Sequence, residues 1–121
     1  MKQYKLGEME VQFAQLIWKH EPVSSRTLTE LCVEAFDWKR TTTYTMLRRL
    51  CDRGLFQNIS GTVTALMSEA EFRAGQGEQF LNEAFEGSLP QFFAAFTRRN
   101  KLSKKEIYEI QKLIDEHKEG W

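Results

Sequence analysis

Trp38-Lys39-Arg40-Thr41-Thr42-Thr43-Tyr44-Thr45-Met46-Leu47-Arg48-Arg49-Leu50-Cys51-Asp52-Arg53-Gly54-Leu55 is the most informative stretch of this 121-residue chain. Thr43, Leu47 and Leu50 recur at i, i+4 and i+7 with Met46 and Cys51 beside them, so one side of a helix from about residue 40 to 53 is apolar. The other side carries Thr41, Thr42, Thr45, Arg48, Arg49 and Asp52, and Gly54 follows as a C-terminal cap. Three successive threonines are poor helix formers, because β-branched side chains lose rotamer freedom against the preceding turn. Helix stability therefore does not explain them.

Upstream, residues 7–20 place Met9, Phe13, Leu16 and Ile17 at i, i+4, i+7 and i+8, one face of a first helix. Glu21-Pro22 ends it, since the residue before a proline is pushed out of the helical region. His20, in its last turn, reads as a cation suited to the negative end of the helix dipole. Ser24 caps a second helix to about residue 35, Val23 can staple onto Leu28, and Leu28, Leu31, Cys32 and Ala35 form its apolar stripe. Downstream, residues 55–59 and 62–66 are short β-prone runs joined by Ser60-Gly61, which predicts a two-stranded hairpin.

Beyond residue 67 the pattern is helical again. Ser68 and Glu71 make a capping box for a helix over residues 69–85, in which Gly75 and Gly77 each cost about 1 kcal/mol. Gly87-Ser88 breaks it. Leu89, Phe92, Phe93 and Phe96 define a short aromatic helix, and Ser103 with Glu106 opens a last one bearing Ile107, Ile110, Leu113 and Ile114. The expected fold is mainly α with a small β-hairpin wing. It comprises a winged helix-turn-helix over residues 1–67 and a helical dimerisation segment over residues 68–121.

Charge adds a functional hint only when resolved by position. The total is neutral, 17 basic against 17 acidic residues. Residues 38–53, however, hold Lys39, Arg40, Arg48, Arg49 and Arg53 against Asp52 alone, whereas residues 67–96 hold Arg73 against Glu69, Glu71, Glu78, Glu83 and Glu86. A basic, hydroxyl-bearing third helix followed by a hairpin suits DNA. The major groove admits a helix, arginine bonds guanine O6 and N7, and threonine meets bases by its hydroxyl or methyl. The plainer alternative is a solvated amphipathic helix. A second alternative is a winged helix used as a protein-protein interaction module, with the acidic, Phe-rich half as docking surface.

These residues resemble a known family, the BlaI/MecI penicillinase repressors and their copper-responsive relatives. Leu6-Gly7-Glu8-Met9-Glu10 through Leu16-Ile17-Trp18 is similar to the family's opening helix, and residues 38–55 to its recognition helix. Residues 87–96 with 102–114 resemble its C-terminal dimerisation segment. The resemblance implies a homodimeric bacterial repressor on a palindromic double-stranded operator, with Lys39, Arg40, Thr41, Thr42, Thr45, Arg48 and Arg49 facing DNA. It also implies a sensor-linked protease as a partner, cutting an Asn-Phe bond in the C-terminal helices; the matching pair here is Ala95-Phe96. The wing departs from the family in having uncharged Asn58, Ser60, Thr62 and Thr64. The copper-responsive branch ends in a cysteine-rich metal motif, where this sequence reads Lys118-Glu119-Gly120-Trp121.

Pairing is also expected on physical grounds. Phe72, Phe80, Phe85, Phe92, Phe93 and Phe96 are six of the nine phenylalanines, and a ring left in water forgoes roughly 1.5–3 kcal/mol. They can pack back on the winged helix or form a two-fold interface with a second copy, and the short reading helix favours the second. The interface expected is Phe80, Phe85, Leu89, Phe92, Phe93, Phe96, Ile107, Ile110 and Ile114. The basic run Arg98, Arg99, Lys101, Lys104 and Lys105 reads as a solvated turn and helix start. Cys32 and Cys51 read as small hydrophobes rather than a redox or metal pair. No phosphate loop, nucleophile elbow or His-Glu-x-x-His accompanies the two histidines, so no enzyme, cofactor or metal is expected. With no apolar leader or membrane-length span, the expected location is the cytoplasm.

Overall fold

The computed structural model describes residues 4–120. Its elements are α1 (Glu8–His20), β1 (Val23–Ser24), α2 (Ser25–Phe36), α3 (Arg40–Asp52), β2 (Phe56–Ile59), β3 (Thr62–Ala65), α4 (Glu69–Phe85), α5 (Leu89–Arg99) and α6 (Lys104–Glu119). The chain divides into two compact units, the first ending at Gln79 and the second beginning at Phe80. A mainly α winged helix with further C-terminal helices is what the sequence predicts.

The first unit is built around one core. Phe13, Ala14 and Ile17 of α1, Leu28 and Cys32 of α2, and Leu47 and Leu50 of α3 meet Leu55, Phe56 and Val63 of the wing. Met9, expected on the buried face of α1, is 39% exposed, and Ala35 of α2 also lies outside. Both sit at helix ends, where the stripe runs past the edge of the core.

Local signals explain how the elements begin and end. Ser24 Oγ accepts from the Thr27 amide at 3.0 Å, the expected cap of α2. The end of α3 is a Schellman motif, with Leu55 N–H on the Leu50 carbonyl at 3.1 Å and Gly54 N–H on that of Cys51 at 3.0 Å. Leu50 and Leu55 are both fully buried, supplying the apolar contact that accompanies the motif. Ser60 and Gly61 both have positive φ, which suits the two-residue connection of a hairpin.

The sheet has three strands rather than the two expected, in the order β1-β3-β2. Val23 pairs with Val63 and Ser24 with Thr62, all antiparallel. A two-residue strand carries no periodicity, and Val23 reads equally well as a helix staple. Glu21 contributes as well, its carboxylate accepting the Ala65 amide at 3.0 Å.

Phe72 corrects its grouping with the later phenylalanines. It is 3% exposed within the first unit, with Trp18 at 5.6 Å and Tyr4 at 5.8 Å between ring centroids. Gly75, one turn later in α4, is buried, and a Cβ there would overlap the Tyr4 ring. The glycine expected to weaken α4 is thus what admits Tyr4 to its surface. The capping box before α4 forms as expected, Ser68 Oγ accepting from Glu71 N–H and Glu71 Oε1 from Ser68 N–H.

The second unit is different in kind. Ser88 caps α5 and Ser103 with Glu106 boxes α6, yet no described residue from 80 to 120 is buried. Phe80, Phe85, Phe92 and Phe96 form a ring cluster with centroids 5.4–5.9 Å apart, mostly edge-on. Phe80 is nevertheless 51% exposed, and Leu89, Phe93, Phe96, Ile107, Leu113 and Ile114 are exposed too.

Candidate nucleic-acid interface

The buried and exposed sides of α3 separate cleanly. Thr43, Leu47 and Leu50 are buried, as the spacing predicts, while Lys39, Arg40, Thr41, Thr42, Thr45, Arg48 and Arg49 are all exposed. Tyr44 joins the exposed set. Thr41, Thr42, Thr45, Arg48 and Arg49 share the side of the helix opposite the core, and Lys39 and Arg40 are exposed at its N-terminal end.

Its electrostatics point outward. The first turn of α3 holds no acid, and Lys39 and Arg40 stand where the helix dipole disfavours cations. Among the described residues, neither of them nor Arg48 or Arg49 joins an ion pair. Arg49 rests its Nη1 3.7 Å from the Met46 sulfur, and Thr45 Oγ1 donates to the Thr41 carbonyl at 3.0 Å. The remaining cation of the basic stretch behaves otherwise. Arg53 donates to the Lys5 carbonyl at 2.6 Å and lies 3.9 Å from the Glu10 carboxylate, so it fastens the segment before α1.

A groove of about 510 Å³ runs between α3 and β2, lined by Tyr44, Thr45, Leu47, Arg48, Cys51 and Asn58. Neither Tyr44 nor Asn58 is among the site residues expected from the sequence. The signal available for Tyr44 is its i, i+4, i+7 relation to Arg48 and Cys51; Asn58 enters only through tertiary packing. On the wing, Gln57 Nε2 donates to Thr64 Oγ1 at 3.1 Å, tying β2 to β3. Ile59 near the tip is 61% exposed.

Cys32 is buried and Cys51 partly so, both as free thiols. Burial pushes both thiols up from their ordinary value; the Thr43 hydroxyl partly offsets this at Cys32, and the Asp52 charge adds to it at Cys51. Thr43 Oγ1 itself has no hydrogen-bond partner of ordinary geometry among the described residues. Those residues contain no His/Cys/Asp/Glu group able to hold a metal ion, and no helix long and apolar enough to cross a membrane.

Comparison with known proteins finds similarity along nearly the whole chain. The penicillinase repressor of Bacillus licheniformis is 27% identical over 118 residues, covering 94% of this chain and 92% of that protein. The methicillin resistance regulatory protein MecI of Staphylococcus aureus is 23% identical over 118 residues, covering 94% and 96%. The family model described as "Penicillinase repressor" matches residues 6–116, and the chain therefore belongs to the penicillinase repressor family.

Proposed function

We propose that the protein is a transcriptional repressor that binds a palindromic operator as a homodimer, with α3 of each subunit in the major groove. The observation that carries this reading is the exposed surface of α3: three threonines with Arg48 and Arg49 opposite a side committed to the core, and Lys39 and Arg40 at the helix start, the four cations without ion pairs among the described residues. Hydroxyls and guanidinium groups read base edges, and unpaired cations replace the counterions of DNA phosphates. Relatives that carry repressor and regulatory-protein names support it. No cofactor or catalytic step is part of this function.

Residues 68–121 carry the pairing. The exposed Phe80, Leu89, Phe93, Phe96, Ile107 and Ile114 and the half-buried Phe85, Phe92 and Ile110 supply the apolar area for it, while Phe72 serves the first unit. A sensor-linked protease would meet the Ala95-Phe96 bond inside α5.

Selection from random duplex DNA tests the reading. A palindrome is expected, with binding falling by roughly 0.9 log units per phosphate contact for each decade of salt. Arg49→Ala should abolish the preference without unfolding the protein. Sedimentation at micromolar concentration should give about 28 kDa, twice 14.2 kDa. Enrichment of no sequence, or a clean monomer, would sink it.

A further inference from the structure

Arg48 and Arg49 are neighbours in sequence but stand on opposite flanks of the exposed side of α3. Tyr44, Arg48 and Cys51 recur at i, i+4 and i+7 and line the groove shared with Asn58 of β2. Thr42, Met46 and Arg49 recur with the same spacing on the other flank, where Arg49 touches the Met46 sulfur. We infer that the groove between α3 and the wing is a seat for the sugar-phosphate strand of the operator. In it Tyr44, Arg48 and Asn58 grip the backbone and leave sequence reading to Thr41, Thr42 and Arg49.

The lining chemistry selects this occupant. A phosphodiester offers only acceptor oxygens and a negative charge; Arg48, Tyr44 and Asn58 line the groove, and their guanidinium, hydroxyl and amide groups are donors by chemistry. None of its six lining residues is acidic. Leu47 and Cys51 add apolar atoms to the lining. The wing has no cation on Asn58, Ser60, Thr62 or Thr64, so the charge that other wings would bring to the backbone comes here from Arg48 of the helix. Asn58 supplies the wing's share as a neutral hydrogen bond. Backbone contacts of this kind fix register and orientation and carry no sequence information directly.

This inference rests on the operator reading above, and fluorescence anisotropy separates the two. The probes are a duplex enriched from random DNA and a scrambled duplex of equal length. Tyr44→Phe and Asn58→Ala should weaken both by a similar factor, about three- to tenfold, leaving their ratio unchanged. Arg48→Ala should weaken both further and flatten the salt dependence by roughly 0.9 per bound subunit. Arg49→Ala should collapse the ratio instead. Thermal melts confirm that each variant is folded.

Parental affinity in Tyr44→Phe and Asn58→Ala would overturn the seat. So would an Arg48→Ala variant that loses the ratio and keeps the salt slope, which would make Arg48 a base reader. Failure of the parent chain to bind any duplex would remove the operator reading itself, and the seat with it.

Discussion

The unit ending at Gln79 and the unit beginning at Phe80 are both helical and both rich in apolar side chains, but they use them in opposite ways. The first turns Phe13, Ile17, Leu28, Leu50, Leu55 and Phe56 wholly inward. The second caps its helices equally well and, among its described residues, buries nothing completely. Helix signals and amphipathic spacing are therefore present in both, and only the number of packed layers differs. One helix stripe needs a facing surface. The first unit finds it within the chain, and the described residues of the second leave it exposed, which is why we propose a second copy as its cover.

The most direct way to break this contrast is to truncate one ring in each unit. Phe13→Ala removes a fully buried ring 5.2 Å from Trp38 and should destabilise the first unit by about 3–5 kcal/mol in chemical denaturation. Phe93→Ala should barely move that transition, while shifting the sedimentation equilibrium toward 14.2 kDa. Equal stability losses from both would mean that the second unit has a core of its own.

Helix α4 allows a finer test of where the packed part ends. Gly75→Ala drives a Cβ into the Tyr4 ring and should cost about 1–3 kcal/mol despite the better helix propensity of alanine. Two residues on, a Cβ at Gly77 would meet nothing within 4 Å, so Gly77→Ala should stabilise by about 0.5–1 kcal/mol. Opposite signs at the two positions would place the edge of the first core between them; matching signs would erase it.

The smallest effect lies at the start of α4. Hydrogen bonds from the Ser68 amide and hydroxyl hold the Glu71 carboxyl below its ordinary value. A carboxyl depressed by folding stabilises above its unfolded value and loses that contribution as the pH falls through the folded one. Its titration, followed by NMR, should have a midpoint below the ordinary glutamate value of about 4.3. A midpoint at that value would mean that the box is open in solution.

Much of the fold was legible because it is written in local signals. The Ser24 cap, the Gly54 stop, the Ser60-Gly61 turn and both capping boxes act within a few residues of themselves. The solvent exposure of Lys39, Arg40, Thr41, Thr42, Thr45, Arg48 and Arg49 was legible for the same reason, since period and composition agree. What stayed hidden depends on distant partners. Tyr4 belongs to no periodic pattern before α4 is packed beside it, and Gly75 looks like a weakness until Tyr4 is there. Phe72 shares its sequence neighbourhood with Phe80 and Phe85, yet Trp18 draws it to the other unit. Arg53 adds to the charge of the basic stretch but is turned to Lys5 and Glu10. Asn58 reaches the α3 groove only through strand placement.

Trp18 gives the first unit an intrinsic reporter. Its ring sits 5.2 Å from Phe56 and 5.6 Å from Phe72, and its Nε1 donates to the Met67 carbonyl at 2.8 Å. Trp38 lies against Phe13 and Phe36 in the same unit, and the sequence has no tryptophan between residues 80 and 120. In a Trp121→Phe chain the emission is therefore spectroscopically tuned to the winged helix alone, whereas far-ultraviolet dichroism weighs all the helices. Superposed melting curves from the two signals would describe a single cooperative transition, and separated curves would time the loss of each unit.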